Sequence, residues 1–246
     1  MKKLSLTMLF IGVVNINLYA ETLIADRPGF STGTYTVAPG MFNIEMGYNY
    51  TFDTVSSKND TQDFPLFELR TGITENLEFD FLLDGWSTTK DFTERISSDI
   101  TIAGKYSFLE NEIYNISFMT LITFPTGTEN DFKPKNISPL FGLLWDYTVD
   151  ASVSLFGTFQ ASTYRDEKRI YDFQPAVGAT FSHTDKFASY IELYFIVPSS
   201  SSIITEVIDG GFTYLLRDNI QLDINGGLGL NNESKDFLGF GIAIGF

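Results

Sequence analysis

From Phe42 to Phe52 the chain alternates residue by residue: Phe42, Ile44, Met46, Tyr48, Tyr50 and Phe52 are apolar, while Asn43, Glu45, Gly47, Asn49 and Thr51 are polar or small. A period of two marks a strand whose two faces meet different surroundings. The pattern returns near the end, where Ile220, Leu222, Ile224, Leu228 and Leu230 alternate with Gln221, Asp223, Asn225, Gly227 and Gly229. It closes the chain, with Leu238, Phe240, Ile242, Ile244 and Phe246 set against Gly239, Gly241, Ala243 and Gly245. Segments of the same kind lie at about 64–73, 77–85, 97–108, 113–124, 138–147, 151–163, 169–182, 187–197 and 204–216, which predicts twelve strands and essentially no helix.

The connections predict how these strands are joined. Thr74–Asn76, Leu109–Glu112, Thr148–Asp150, His183–Lys186 and Arg217–Asn219 are short, whereas Asp53–Asp63, Trp86–Ile96 and Pro125–Ile137 are long. Short turns on one side and long loops on the other are typical of transmembrane barrels. A tilted strand needs about 9–11 residues to cross hydrocarbon, against about 5–6 for the usual soluble strand. Alternation by itself also suits a soluble sandwich, whose apolar faces pack inward. Three features favour the membrane. Aromatics cap the oily faces near strand ends (Tyr106, Phe108, Tyr147, Phe181, Tyr214 and Phe246) as interfacial girdles do. The last residue, Phe246, belongs to the last strand, resembling the C-terminal aromatic signature that the bacterial barrel-assembly machinery reads. An even number of strands lets the sheet close on itself with no unpaired edge. The expectation is an all-β, closed antiparallel transmembrane β-barrel of about twelve strands, both termini periplasmic, embedded in outer-membrane lipid and lipopolysaccharide.

The first twenty residues change the picture of where the chain goes. Met1-Lys2-Lys3 precedes an apolar run from Leu4 to about Leu18 and a small residue at Ala20, the layout of a cleaved secretory signal peptide. The run is shorter than a membrane-spanning helix and interrupted by Asn15 and Asn17. The division is therefore a signal peptide over 1–20, an N-terminal periplasmic or luminal segment over 21–40, and a barrel over 41–246. Acidic side chains number 31 against 16 basic ones, two of which leave with the signal peptide, so nucleic acid is an improbable partner. With no cysteine, a disulfide framework, a thiol nucleophile or a thiolate metal site is impossible.

The string Leu23-Ile24-Ala25-Asp26-Arg27-Pro28-Gly29-Phe30-Ser31, followed by Thr36-Val37-Ala38-Pro39-Gly40 and Phe42-Asn43-Ile44-Glu45, resembles the start of a known family. It is the transporter-like outer-membrane family named after the MetA (meta-cleavage) pathway of phenol degradation. Its members begin with a Thr-Asp-Arg-Pro-Asp-Phe-like string and a Val-Pro-x-Gly turn. Here Ala25 stands for the usual Thr, Gly29 for the usual Asp, and Ala38 intrudes before Pro39. Further echoes are Leu69-Arg70-Thr71-Gly72-Ile73-Thr74-Glu75-Asn76-Leu77-Glu78 and Ser98-Asp99-Ile100-Thr101-Ile102-Ala103-Gly104-Lys105-Tyr106. The resemblance implies an outer-membrane barrel acting as a transporter, often of aromatic or other hydrophobic compounds.

If the oily faces meet lipid, Glu45, Glu68, Arg70, Glu78, Asp80, Asp99, Lys105, Asp146, Asp172, Glu192 and Asp223 point into the lumen, together with Gln160 and Gln174. Carboxylates outnumber cations there, which would favour cations in a water-filled bore. The alternative is a plugged barrel whose carboxylates pair with Arg27, Arg70 and Lys105. The near absence of side chains along Gly227, Gly229, Gly239, Gly241, Ala243 and Gly245 lets something approach that wall closely. Residues 21–40, carrying the Asp26-Arg27-Pro28 motif, are the candidate; an ordinary periplasmic leader is the other reading.

Catalysis has little to build on. A barrel hydrolase needs a Ser activated by a His, and the one histidine, His183, falls in a turn on the periplasmic side. Asp80 and Asp84 belong to no compact metal-ligand string, and no cofactor is implied. The acidic outer loops (Asp53, Asp60, Asp63, Glu129 and Asp131) either recruit divalent ions that bridge lipopolysaccharide or simply stay solvated. Two functional readings stand: a channel for passive uptake of small solutes, aromatic or hydrophobic compounds among them, and a non-conducting structural or adhesion barrel.

Overall fold

The computed structural model describes residues 23–53, 60–89, 96–128, 136–165 and 168–246. The signal-peptide assignment and loop residues Glu129 and Asp131 lie outside the described residues. The strands are β1 (Phe42–Phe52), β2 (Thr61–Thr74), β3 (Leu77–Leu83), β4 (Trp86–Thr89), β5 (Ile96–Ser97), β6 (Ile100–Glu110), β7 (Tyr114–Phe124), β8 (Ser138–Thr148), β9 (Val153–Arg165), β10 (Arg169–Thr184), β11 (Phe187–Pro198), β12 (Thr205–Arg217), β13 (Ile220–Gly229) and β14 (Asp236–Gly245). β4 continues β3 along the same neighbour, β2, after a break at Asp84–Gly85, and β5 precedes β6 across Ser98–Asp99. Counted that way, twelve strands cross the barrel.

β4 pairs with β2 and β3 with β6, so when β3–β4 and β5–β6 are each counted as one strand every strand pairs antiparallel with its sequence neighbour, and β1 pairs with both β2 and β14, closing the sheet. Closure runs from Phe52↔Asp236 to Asn43↔Gly245 and ends with reciprocal backbone bonds between Phe42 and Phe246. Every ladder is thereby paired inside the chain, as hydrocarbon requires.

The predicted strand ends mostly hold. The stretch from Trp86, read as the start of a long loop, instead carries β4, because Trp86–Thr89 pairs with the outer extension of β2 at Thr61–Phe64. The hairpin therefore rises further before it becomes loop. At the opposite end, the turns after β2, β6, β10 and β12 share one device: a register shift in the first strand just before the turn. Such bulges sharpen the local twist and fix the register of tight hairpins.

Alternation sets the two surfaces. Outward side chains such as Phe159, Val177, Ile191, Phe212, Ile224, Leu228 and Phe240 are exposed. Aromatics flank this belt at the short-turn rim, where Tyr106 and Phe108 are exposed, Tyr114 packs on Tyr147 and Phe187 on Phe212. Phe52, Phe64, Trp86, Tyr171 and Phe173 flank it at the long-loop rim. A continuous apolar exterior between two aromatic girdles is the surface a bilayer solvates. The fully buried positions are the reverse of a soluble core: Glu45, Arg70, Glu78, Lys105 and Glu192 are among the largest side chains out of reach of solvent.

Candidate functional site: the lumen and its N-terminal segment

Residues 23–40 run inside the barrel. Leu23 enters at the short-turn rim, its N–H donating to Asp218 O at 2.8 Å. The segment climbs to Phe30 and Ser31, then descends to Pro39 and Gly40, which bridge Gly72 before β1 begins. On the way it is held by side chains from β1, β2, β3, β6, β7, β8, β9, β11 and β13. An extended segment has no ladder of its own, so the wall must satisfy its backbone groups.

The densest contacts surround Arg70. Its guanidinium pairs with Glu45 at 3.1 Å, Glu78 at 3.1 Å and Asp26 at 3.3 Å, and donates to Ile24 O and Tyr35 O. Lys105 adds pairs to Asp26 at 2.8 Å and Glu78 at 3.0 Å, and donates to Tyr35 O. The carboxylates in turn accept backbone N–H groups: Glu45 takes those of Asp26 and Arg27, and Glu78 that of Val37 at 2.6 Å. Buried ions repay their desolvation only when their remaining valences are filled in this way.

Arg27 makes a second anchor. It donates twice to Asp223, at 3.1 and 3.3 Å, while Gln221 caps its carbonyl. Its guanidinium lies against the backbone of β1 and β14: a Cβ on Gly47 would sit 2.3 Å from Nη1, and one on Gly241 2.3 Å from Nε. Only glycine leaves room for this approach. The rest of the glycine-rich wall is otherwise used, since Phe237 fills the space over Gly227, Ser234 that over Gly229 and Asn225 that over Gly239. The segment thus meets that wall at Gly47, Gly241 and, through Leu23, Gly245, and then crosses to the opposite side.

A third anchor is Glu192, which accepts the N–H groups of Phe30 at 2.8 Å and Ser31 at 3.0 Å. Gly29, where the family usually has Asp, adopts φ 119°, a left-handed conformation that favours glycine and turns those two N–H groups toward the carboxylate. Phe30 stacks flat on Tyr194, with centroids 4.1 Å apart. Asp146 accepts the Thr34 hydroxyl, and Asn115 donates to the Tyr35 hydroxyl.

Of the residues singled out from sequence, the fold gathers Asp26, Glu45, Arg70, Glu78 and Lys105 into one network and gives Arg27, Asp146, Glu192 and Asp223 separate holds on the segment. Pro28 lies between the Arg27 and Phe30 anchors. Asp80 is buried opposite Arg70 in the β2–β3 ladder, with one carboxylate oxygen lacking a hydrogen bond. Asp99 accepts Gly127 N at the long-loop rim, and Asp172 lies on β10 toward that rim; neither touches the network. The sequence reading passed over Asp209, which is 3% exposed, directly opposite Glu192, and bound by the Tyr190 hydroxyl at 2.9 Å. Its odd position on β12, in step with Val207 and Gly211, was a usable signal. Thr34, Tyr35, Asn115 and Ser117 were also missed, because nothing in the period-two pattern says what a luminal segment will touch.

Above the segment, toward the long loops, lies a cavity of about 590 Å³. Residues 26–32 form its floor, and Glu68, Leu66, Leu82, Tyr194, Val207 and Phe237 line it higher up. His183 donates to or accepts from Ser189 at 2.8 Å and packs on Phe187 at the short-turn rim, away from this cavity.

Comparison with solved structures places the fold among outer-membrane barrels. The COG4313 outer membrane channel from Pseudomonas putida F1 is similar with a TM-score of 0.68 and 14% identity, over 89% of this chain and 99% of that one. A KdgM porin is similar at 0.62 and 9%, over 83% and 99%, and a NanC porin at 0.60 and 10%, over 82% and 98%. At these identities the likeness is one of fold. A search of curated proteins finds no match. The model of one protein family matches residues 25–246, nearly the whole of the described chain, and the chain therefore belongs to the family described as "Putative MetA-pathway of phenol degradation".

Proposed function

We propose that the protein is an outer-membrane channel for passive uptake of small solutes, aromatic or hydrophobic compounds among them, exported through a cleaved signal peptide. The observation that carries this reading is the divided lumen: a cavity of about 590 Å³ on the long-loop side, floored by an N-terminal segment that narrows the short-turn side. A solute enters between the long loops, dwells in the cavity and leaves past the segment into the periplasm, where both termini lie. The apolar exterior meets outer-membrane lipid, with lipopolysaccharide against the loop rim, and Phe246 presents the last strand to the barrel-assembly machinery. Structurally similar barrels are described as porins and channels, which supports a conduit rather than an enzyme. Glu68, with Asp99 and Asp172 nearer the loop rim, then lines or flanks the solute path, whereas Glu45, Glu78, Asp80, Asp223 and Asp146 belong to the constriction and Glu192 holds the top of its segment.

Refolded protein in a planar bilayer under a salt gradient tests the reading. Small, stable, cation-favouring steps are expected. A correctly folded barrel that stays silent, and stays silent with residues 23–40 removed, overturns it in favour of a non-conducting structural or adhesion barrel. The saturated ion pairing of the segment is the feature that second reading would invoke.

A further inference from the structure

The charges lining the cavity are unequally committed. Arg27 and Lys235 are its cations, and both are paired, Arg27 with Asp223 at 3.1 Å and Lys235 with Asp53 at 3.1 Å. At the floor, Asp26 is taken by Lys105 and Arg70. Glu45 is taken by Arg70 and two backbone N–H groups. Glu68 sits directly opposite Glu45 in the β1–β2 ladder and lines the same cavity above that floor, yet among the described residues it forms no ion pair or hydrogen bond. A carboxylate facing a cavity with its neighbours' cations already used is an acceptor without a donor. The remaining walls are apolar or aromatic: Leu66, Leu82, Val207 and Phe237, with the Phe30 and Tyr194 rings stacked at 4.1 Å.

We propose that this cavity binds small organic cations with an apolar or aromatic body, the ammonium held by Glu68 and the body packed on Phe30, Tyr194 and the aliphatic wall. The inference deepens the channel reading and rests on it. Three other chemistries fit the site less well. An anion would face Glu68 with no uncommitted cation in the lining. A neutral aromatic would cover Glu68 and strip it of water without giving a hydrogen bond in return. A bare inorganic cation would satisfy Glu68 but leave the aromatic floor unused. An aryl- or alkyl-ammonium answers both halves of the lining, and its charge next to ring faces adds a cation–π attraction. The volume suits such a ligand, since small-molecule sites span about 300–1,000 Å³.

The test is binding to the refolded full-length mature protein in detergent, followed by calorimetry or saturation-transfer NMR, with three probes of one shape: 2-phenylethylamine, 2-phenylethanol and phenylacetate. The amine is expected to bind about tenfold more tightly than the alcohol, and phenylacetate not at all. Glu68→Gln should bring the amine down to the alcohol's affinity and leave the alcohol unchanged, while Tyr194→Leu should weaken both. Probes that bind alike, or an amine preference that survives E68Q, overturn the proposal. If E68Q does not fold, added salt serves instead: the wild-type amine preference must shrink as ionic strength rises, and a salt-independent preference overturns it. Bilayer recordings separate the two readings. Current steps without amine preference sink the site and leave the channel, whereas amine preference in a silent barrel sinks the channel and leaves the site.

Discussion

The two halves of the lumen are built from the same alternating strands and end up with opposite character. On the short-turn side, residues 23–40 fill the bore, and Arg70, Lys105 and Arg27 hold the segment through Asp26, Glu45, Glu78 and Asp223. On the long-loop side the strands enclose a cavity, and Glu68 faces it with no ion pair or hydrogen bond among the described residues. Nothing in the strands themselves makes this difference; the segment does. Where it threads the barrel, carboxylates become structural ligands for its backbone and for the cations beside it. Where it stops, carboxylates of the same face remain available to a solute. An acidic lumen is thus not one property but two, divided at the level of Phe30.

The comparison is broken most severely by removing the segment. Deleting residues 23–40 should turn the short-turn half into open bore and raise single-channel conductance several-fold, while exposing Glu45 and Glu78 to solvent. Unchanged conductance and unchanged protease protection would mean that the segment does not constrict the path. Next comes Arg70→Met, which strands Glu45 in a buried site and leaves Asp26 and Glu78 to Lys105 alone. Breaking a buried pair costs about 3–5 kcal/mol, and urea titration of the heat-modifiable folded band should show a loss of that order. Glu192→Gln should act more gently, because its amide oxygen can still accept one N–H from Phe30 or Ser31 but loses the charge. A loss of about 1–2 kcal/mol in segment docking is expected, read as faster proteolysis within residues 23–40 with the barrel intact. Gly47→Ala collides with the Arg27 guanidinium, and overpacking of this kind costs about 1–3 kcal/mol; because Arg27 is a flexible side chain, the low end is expected, read by the same proteolysis. Smallest in energy is Glu68→Gln, which should leave stability unchanged and reduce cation selectivity in a salt-gradient recording. A large fall in stability there would show that Glu68 belongs with the structural half.

The strand pattern was legible because lipid and lumen impose opposite preferences on successive residues, and a period of two survives any detail of packing. That is why Phe42–Phe52 and Ile220–Gly229 were read correctly and why Glu45, Arg70, Glu78 and Asp223 were placed on the inner face. The motif Asp26-Arg27-Pro28 was visible as a string, and the glycines at 47 and 241 as missing side chains. Their connection was not visible, because Arg27 and Asp223 lie far apart in sequence and a guanidinium against two glycines is a contact across three strands. The start of β4 at Trp86 was missed because an outer hairpin beyond the apolar belt has less alternation to read. Asp209 was missed although its position carried the signal.

By itself the sequence determined a closed barrel with an oily outside and an acidic inside, since alternation, strand length and an even strand count leave few other ways to pair every backbone group away from water. Only the tertiary structure decided which of those acids are spent and which are free. Whether a carboxylate is a structural ligand or a binding group depends on what lies within about 3 Å of it. In this lumen that is set by where one extended segment passes, and no local pattern along the chain records that path.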